Sequence, residues 1–199
     1  MRVLAMLLSL VCIAQPGPAA VAATRSPNAP AATQPGNSEM TAIFDADQAD
    51  RNTPNIDWSS VVPRDVARRA RTKALLDGGR LHTGADFLHA AFVFQHGDTP
   101  NDYLLAHTLA VIAAARGEKG AAWIAAATLD RYLVNIGQKQ IYGTQFMTHA
   151  NQPVTQEPYD RSLISDSLRT ALGVPPIKDQ EEQRKEFEAA SKDSGFGKP

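Results

Sequence analysis

The chain has 199 residues, is 43% apolar and 21% charged, and carries a formal net charge of −1 with a single cysteine. That length suits one ordinary globular domain. With 20 Lys and Arg against 21 Asp and Glu there is no basic excess, so a nucleic-acid partner, which needs a basic stripe to neutralise phosphates, is excluded from the expectations.

Residues 1–22 read as a secretory signal peptide. Arg2 supplies a positive start, Val3 to Ala14 is a charge-free apolar run, and Ala20-Val21-Ala22 has the small-x-small form of a cleavage site. A membrane anchor is the rival reading, but a spanning helix needs about 20 apolar residues, and Pro16, Gly17 and Pro18 interrupt this one early. The expected location is therefore the periplasm or the outside of the cell, with no membrane contact after cleavage. Cys12 lies inside the leader behind Ser9-Leu10-Val11, which is not a lipidation signal. Cleavage after Ala22 leaves no cysteine, so thiol catalysis and Cys-ligated zinc drop out.

Residues 23–38 hold Pro27, Pro30 and Pro35 among small and polar residues and bury too little apolar surface to offset ordering entropy, which predicts a disordered linker. A helical domain is expected over 39–177. Pro63 opens a basic helix to about residue 77. Thr83-Gly84-Ala85-Asp86 and Thr99-Pro100-Asn101-Asp102 have capping-box spacing and predict helices over about 84–96 and 100–116, with an Ala-rich one over about 119–136. Gly78, Gly97, Gly117, Gly137 and Gly173 stand where C-terminal caps are wanted.

Sliding Gly84 onto Gly120 also aligns Ala85, Ala90 and Ala91 with Ala121, Ala126 and Ala127, and Phe87 with Trp123. The spacing is near the roughly 34-residue period of tetratricopeptide hairpins, although the Trp-Leu-Gly-Tyr signature is absent. Past Gly137, Gln140 to Thr148 is rich in strand formers and Ala150-Asn151-Gln152-Pro153 supplies a turn, which predicts a small two-stranded β ribbon with Val154-Thr155. Asp160 then caps a short helix to about Leu172. Residues 178–199 alternate acid and base around Phe187 and read as a solvated polar helix and tail. The expected fold class is mainly α: packed helical hairpins, with tetratricopeptide-like packing open, and a small ribbon.

Four polar clusters interrupt the apolar pattern: Gln48-Ala49-Asp50-Arg51, Gln95-His96-Gly97, Asp130-Arg131, and Gln140-Ile141-Tyr142-Gly143-Thr144-Gln145. Their order resembles an uncharacterised bacterial family, a domain of unknown function with Asp-Gln-x-x-Arg, Gln-His, Asp-Arg and Gln-x-Tyr-Gly-Thr-Gln motifs. The resemblance spans roughly Thr41 to Pro176, the last motif being its most specific part, and it implies no activity.

At the end of a helix, His96 can donate a proton or contact an anion, helped by the helix dipole, or simply cap the last carbonyls. Asp130 and Arg131, adjacent on a helix, point about 100° apart and serve different neighbours. If Gly143 breaks strand alternation, Tyr142, Thr144 and Gln145 converge, and such amides and hydroxyls suit a sugar or peptide backbone. The alternative is a satisfied buried network.

Asp45, Asp47 and Asp50 lack the glycine and ligand spacing of a calcium loop, and the five histidines form no ligand pair, so no metal is expected. No phosphate-binding loop, dinucleotide turn or nucleophile elbow is present, and no cofactor is expected. Arg64, Arg68, Arg69, Arg71 and Lys73 make a basic face that the tail acids Glu181, Glu182, Glu186 and Glu188 could neutralise.

The ligand-binding candidates are Gln48, Arg51, Gln95, His96, Asp130, Arg131, Gln140, Tyr142, Thr144 and Gln145. The first reading is an exported helical binding module for a polar small molecule, a peptide or an envelope protein. A hydrolase using His96 or Asp130 as general acid or base is the second, and a purely structural scaffold the third.

Overall fold

The computed structural model describes residues 35–53, 55–148 and 152–193, with side chains to residue 190. The expected signal peptide and almost all of the linker lie outside these residues. No helix among the described residues is long and apolar enough to cross a membrane.

Seven helices are present among the described residues: α1 (Ser38–Arg51), α2 (Trp58–Asp77), α3 (Gly84–Gln95), α4 (Pro100–Ala115), α5 (Ala121–Asn135), α6 (Asp166–Ala171) and α7 (Ile177–Asp193). The fold is mainly helical, and short loops make α3, α4 and α5 consecutive packed hairpins. Both expected capping boxes form: Thr83 with Asp86 starts α3, and Thr99 with Asp102 starts α4 behind Pro100. Asp86 also accepts from Asn37 N at 2.7 Å, so one carboxylate joins the starts of α1 and α3.

The core is built from Ala90, Ala91, Val93 and Phe94 of α3, Ala106, Leu109 and Ala110 of α4, and Ile124 and Ala125 of α5, with Met40 of α1 and Leu75 of α2. Small residues let the helices approach closely. The two halves of the sequence repeat agree here, because Ala90, Ala91, Ala126 and Ala127 are all buried. They part at the aromatic position: Phe87 lies under the Arg116 guanidinium at 4.6 Å, whereas Trp123 is 40% exposed.

Three boundaries differ from the sequence expectation. Helix α2 opens at Trp58, capped by the Asp57 side chain on Ser59 N, and Pro63 lies inside it. Pro63 removes the bond to the Ser59 carbonyl, but both residues are exposed and water can serve that oxygen. Asp160 caps only a turn, accepting from Ser162 N and Leu163 N, while Ser165 caps α6. The polar tail is a docked helix: Gln180 is 1% exposed, Arg184 donates to the Val154 carbonyl at 3.0 Å, and Phe187 meets Phe146 edge to face.

No β ribbon is formed among the described residues. Among the described residues Met147 and Thr155 form one antiparallel bridge, and Gln140 and Tyr159 one parallel bridge. From Met147 back toward residue 140 no ladder extends, because side chains claim the backbone donors it would need: Asp130 takes the N–H groups of Ile141, Tyr142 and Thr144, and Gln140 takes that of Gln145.

His89 of α3 stacks on Phe44 of α1, rings 4.2 Å apart and 6° from parallel, with Nδ1 buried and unpartnered. Burial holds its pKa below the ordinary 6.5, against the charges of Asp45, Asp86 and Glu118. The folded protein therefore keeps this ring neutral, and stability is full above pH 6.5 and falls below it as the unfolded chain takes up the proton. His89→Phe, which keeps a stacked ring without the titration, is expected to flatten the fall in melting temperature as the pH drops below 6.5; an unchanged slope would refute the assignment.

Candidate functional site

The four sequence clusters separate into two places. Asp130, Gln140, Tyr142, Thr144 and Gln145 belong to one, and Gln48, Arg51, Gln95 and His96 to the other, with Arg131 reaching both.

The first place is a closed network. Asp130, near the end of α5, is 0% exposed, and its carboxylate accepts from Ile141 N (2.7 Å), Tyr142 N (3.0 Å), Thr144 N (2.9 Å) and Thr144 Oγ1 (2.9 Å). Four donors fill its acceptor positions, so it has no lone pair to offer a substrate. Gln140, also 0% exposed, accepts from Gln145 N and donates to the carbonyls of Gln145 and Gln156. The Gln145 amide donates to the Ala127 carbonyl and Thr144 Oγ1 and accepts from Arg131 Nε at 3.0 Å.

Gly143 is required twice over. Its φ is +84°, and a Cβ there would lie 2.6 Å from Tyr159 Cζ. Tyr142, Thr144 and Gln145 do leave strand alternation at this glycine, as the sequence suggested, but Thr144 and Gln145 converge on Asp130 and Arg131. Burial, with the Asp130 charge, pushes the Tyr142 phenol above its ordinary pKa.

The second place is a cleft of about 390 Å³ between the ends of α1 and α3 and one side of α2 and α5. Arg51, Asp65, Arg69, Gln95, His96 and Arg131 give it polar walls, while Trp58 and Val62 line it with 55% and 49% of their surface exposed. Behind it stands Asp47, 0% exposed, one turn before Arg51. Its carboxylate accepts from Gln48 Nε2 (2.8 Å) and Arg51 Nη1 (2.9 Å) and lies 3.1 Å from His96 Nδ1. This contact places the Nδ1 proton toward Asp47 and leaves Nε2 without a hydrogen bond among the described residues.

Arg51 also bridges to Asp65 at 2.6 Å, and Arg68 joins Asp65 to Asp50. Arg64 and Arg68 hold the Asp50 carboxyl down to about 2. Among the described residues the basic face of α2 is thus paired with acids of α1, of α2 itself and of the α3–α4 loop, with Arg71 on Glu39, Lys73 on Asp77 and Arg69 on Asp98, and not with the C-terminal acids. Those acids serve α7 itself: Arg184 pairs with Glu181 and Glu188.

The C-terminus of α3 receives two arginines. Arg69 donates to the His96 carbonyl at 2.7 Å and pairs with Asp98, and Arg131 donates to the Gln95 carbonyl at 2.6 Å. Both cations sit where the helix dipole favours them. His96 is the C-cap residue itself, so the capping and ligand-facing readings meet in one place. Among the described residues no three His, Cys, Asp or Glu side chains come together as metal ligands.

Asp47, Asp65, Arg69 and Trp58 were not among the sequence candidates. Asp47 heads the Asp-Gln-x-x-Arg motif and sits four residues before Arg51, which was the available signal. Nothing local marks Asp65 or Trp58, whose roles come from packing between helices.

Gln145→Ala is expected to lower the unfolding free energy by about 1–3 kcal/mol, since it strands buried donors and acceptors. Asp130→Asn should cost more, because an amide N–H would face backbone N–H groups. Denaturant unfolding measures both, and losses below about 0.5 kcal/mol would refute the closed network. No family model, curated protein or solved structure matches the chain in comparisons of sequence and fold.

Proposed function

We propose that the protein is an exported binding module whose site is the cleft between α1, α2, α3 and α5, and that its ligand is a polar small molecule or a segment of an envelope partner. The observation that carries this reading is the contrast between the two polar places. In the Asp130 network the Asp130, Gln140, Thr144 and Gln145 side chains are all hydrogen-bonded within the protein. Among the residues lining the cleft, the Gln95 amide, His96 Nε2 and Arg131 Nη2 have no hydrogen bond among the described residues, and exposed Trp58 and Val62 line the same cleft; Arg131 also borders a second pocket with Tyr103 and Gln145. Polar groups held by a rigid frame beside an apolar wall are what a ligand pocket requires.

The test is an amide-resolved NMR screen of envelope sugars and short peptides. The expected result is saturable shifts confined to residues around Arg51, Trp58, Gln95–Asp98 and Arg131. Gln95→Ala should abolish those shifts while changing stability by less than about 0.5 kcal/mol. Shifts centred on residues 140–145 would sink the proposal.

One contact supports a hydrolytic second reading. A buried carboxylate on His96 Nδ1 with Nε2 free is the arrangement that orients a general base. This reading expects turnover of an envelope glycan or peptide bond that His96→Gln abolishes without loss of stability. Turnover that survives that substitution would remove it.

A further inference from the structure

We infer that the cleft is an anion site, and that its ligand carries one carboxylate beside an apolar or ring-shaped body. The inference rests on the cleft being the binding site, and it adds the chemical class of the ligand.

The arginines around the cleft pair with carboxylates, with one exception. Asp47 and Asp65 are taken by Arg51, with Arg68 also on Asp65; Asp50 is taken by Arg64 and Arg68; Asp98 is taken by Arg69. Four carboxylates thus meet the four arginines 51, 64, 68 and 69. Arg131 is the fifth arginine, and among the described residues no carboxylate pairs with it. Its neighbours are the Gln145 amide oxygen, the Gln95 carbonyl and the Tyr103 ring, whose centroid is 5.8 Å from Cζ.

Burial pushes the Arg131 guanidinium down from its ordinary pKa, and the nearby charge of Arg51 acts the same way. The α3 C-terminus offsets part of this, but its dipole amounts to about half a charge and Arg69 shares it. A partly buried cation without a counter-ion is costly, although the Tyr103 ring opposes part of the shift, and a ligand anion supplies the missing charge. Arg131 Nη2, the one guanidinium nitrogen without a hydrogen bond, is not among the buried unpartnered atoms, so a ligand can reach it.

Among the residues that line the cleft, Arg51, Arg69 and Arg131 stand against Asp65 and Asp98, an excess of one positive charge. A monoanion balances it, whereas a dianionic phosphate monoester would leave excess negative charge facing Asp65 and Asp98 in the same wall. The second element is apolar. Trp58 and Val62, one helical turn apart on α2, line the cleft with about half of each residue's surface left uncovered by the other described residues. An indole face accepts an aliphatic side chain or the C–H face of a sugar ring. A carboxylate joined to such a body could come from an acidic sugar or from the C-terminal residue of a peptide.

The experiment uses the full chain carrying Trp123→Phe, which leaves Trp58 as the sole tryptophan, with fluorescence and melting temperature as readouts. The probes are glucuronate against methyl glucoside, N-acetyl-leucine against its amide, acetate, and inorganic phosphate, each to about 10 mM, ten times the Kd of a millimolar site. At least one ring- or side-chain-bearing carboxylate should change Trp58 emission saturably and raise the melting temperature. Its neutral counterpart should bind at least about tenfold more weakly, and which acid binds identifies the source.

Arg131→Lys, which keeps the charge but loses the planar fork, should weaken binding a few-fold, and Arg131→Gln at least about tenfold. Trp58→Ala, an exposed position that should fold normally, should remove the preference for these acids over acetate even if Arg131→Gln proves unstable. Neutral probes binding as well as acids would overturn the anion inference while leaving the cleft as the site. Phosphate binding as tightly as carboxylate, or no acid binding at all, would also overturn it. An acid that raises the melting temperature without touching Trp58 emission would overturn both the inference and the cleft.

Discussion

The Asp130 carboxylate is the point on which the C-terminal third of the domain depends. It is buried at the end of α5 and holds three backbone N–H groups and one hydroxyl of the 141–144 segment. A carboxylate removed from water is tolerable only with such a set of donors, and the donors in turn lose the option of a sheet. The segment is therefore shaped by one side chain instead of by a strand partner. Its irregular path exposes the Tyr142 carbonyl to Tyr159 Oη, Arg169 Nε and Gln180 Nε2. Through those contacts α6 and α7 are fixed to α5.

The next residue along the helix does the opposite. Asp130 faces inward and is saturated, while Arg131 lines the cleft and a second pocket by Tyr103 and keeps one nitrogen without a hydrogen bond among the described residues. Adjacent positions on a helix diverge by about 100°, so one Asp-Arg pair joins a structural network to a candidate site. The link is material: Gln145, held by the Asp130 loop, accepts from Arg131 Nε. The position of the cationic group in the cleft is thus set by the loop on the other side of α5.

Much of this was legible in the sequence, and the failures have physical causes. The capping boxes at Thr83 and Thr99 were readable because a cap is a contact between residues three apart. The divergence of Asp130 and Arg131 followed from helix geometry. Pro63 misled because a proline normally breaks an interior bond, and only the solvent exposure of α2 at that point makes it tolerable. The Gln140–Thr148 run misled because strand propensity describes side chains on a pleated surface, whereas here buried carboxylate and amide groups competed for the backbone. The pairing of Arg64 and Arg68 with Asp50 was invisible because it depends on how α1 lies against α2.

The Tyr142 carbonyl carries a consequence for how the molecule opens. One oxygen has two lone pairs, yet donors from a loop, α6 and α7 share it. Releasing any one of them redistributes the others, and Gln180 also donates to the Pro175 carbonyl and accepts from Gln156 and Tyr159. Such sharing ties the loop and the last two helices into one hydrogen-bonded unit, the kind of unit that is expected to open cooperatively. Slow hydrogen exchange in α7, a helix of very polar sequence, would report the integrity of a carbonyl 35 residues before that helix begins.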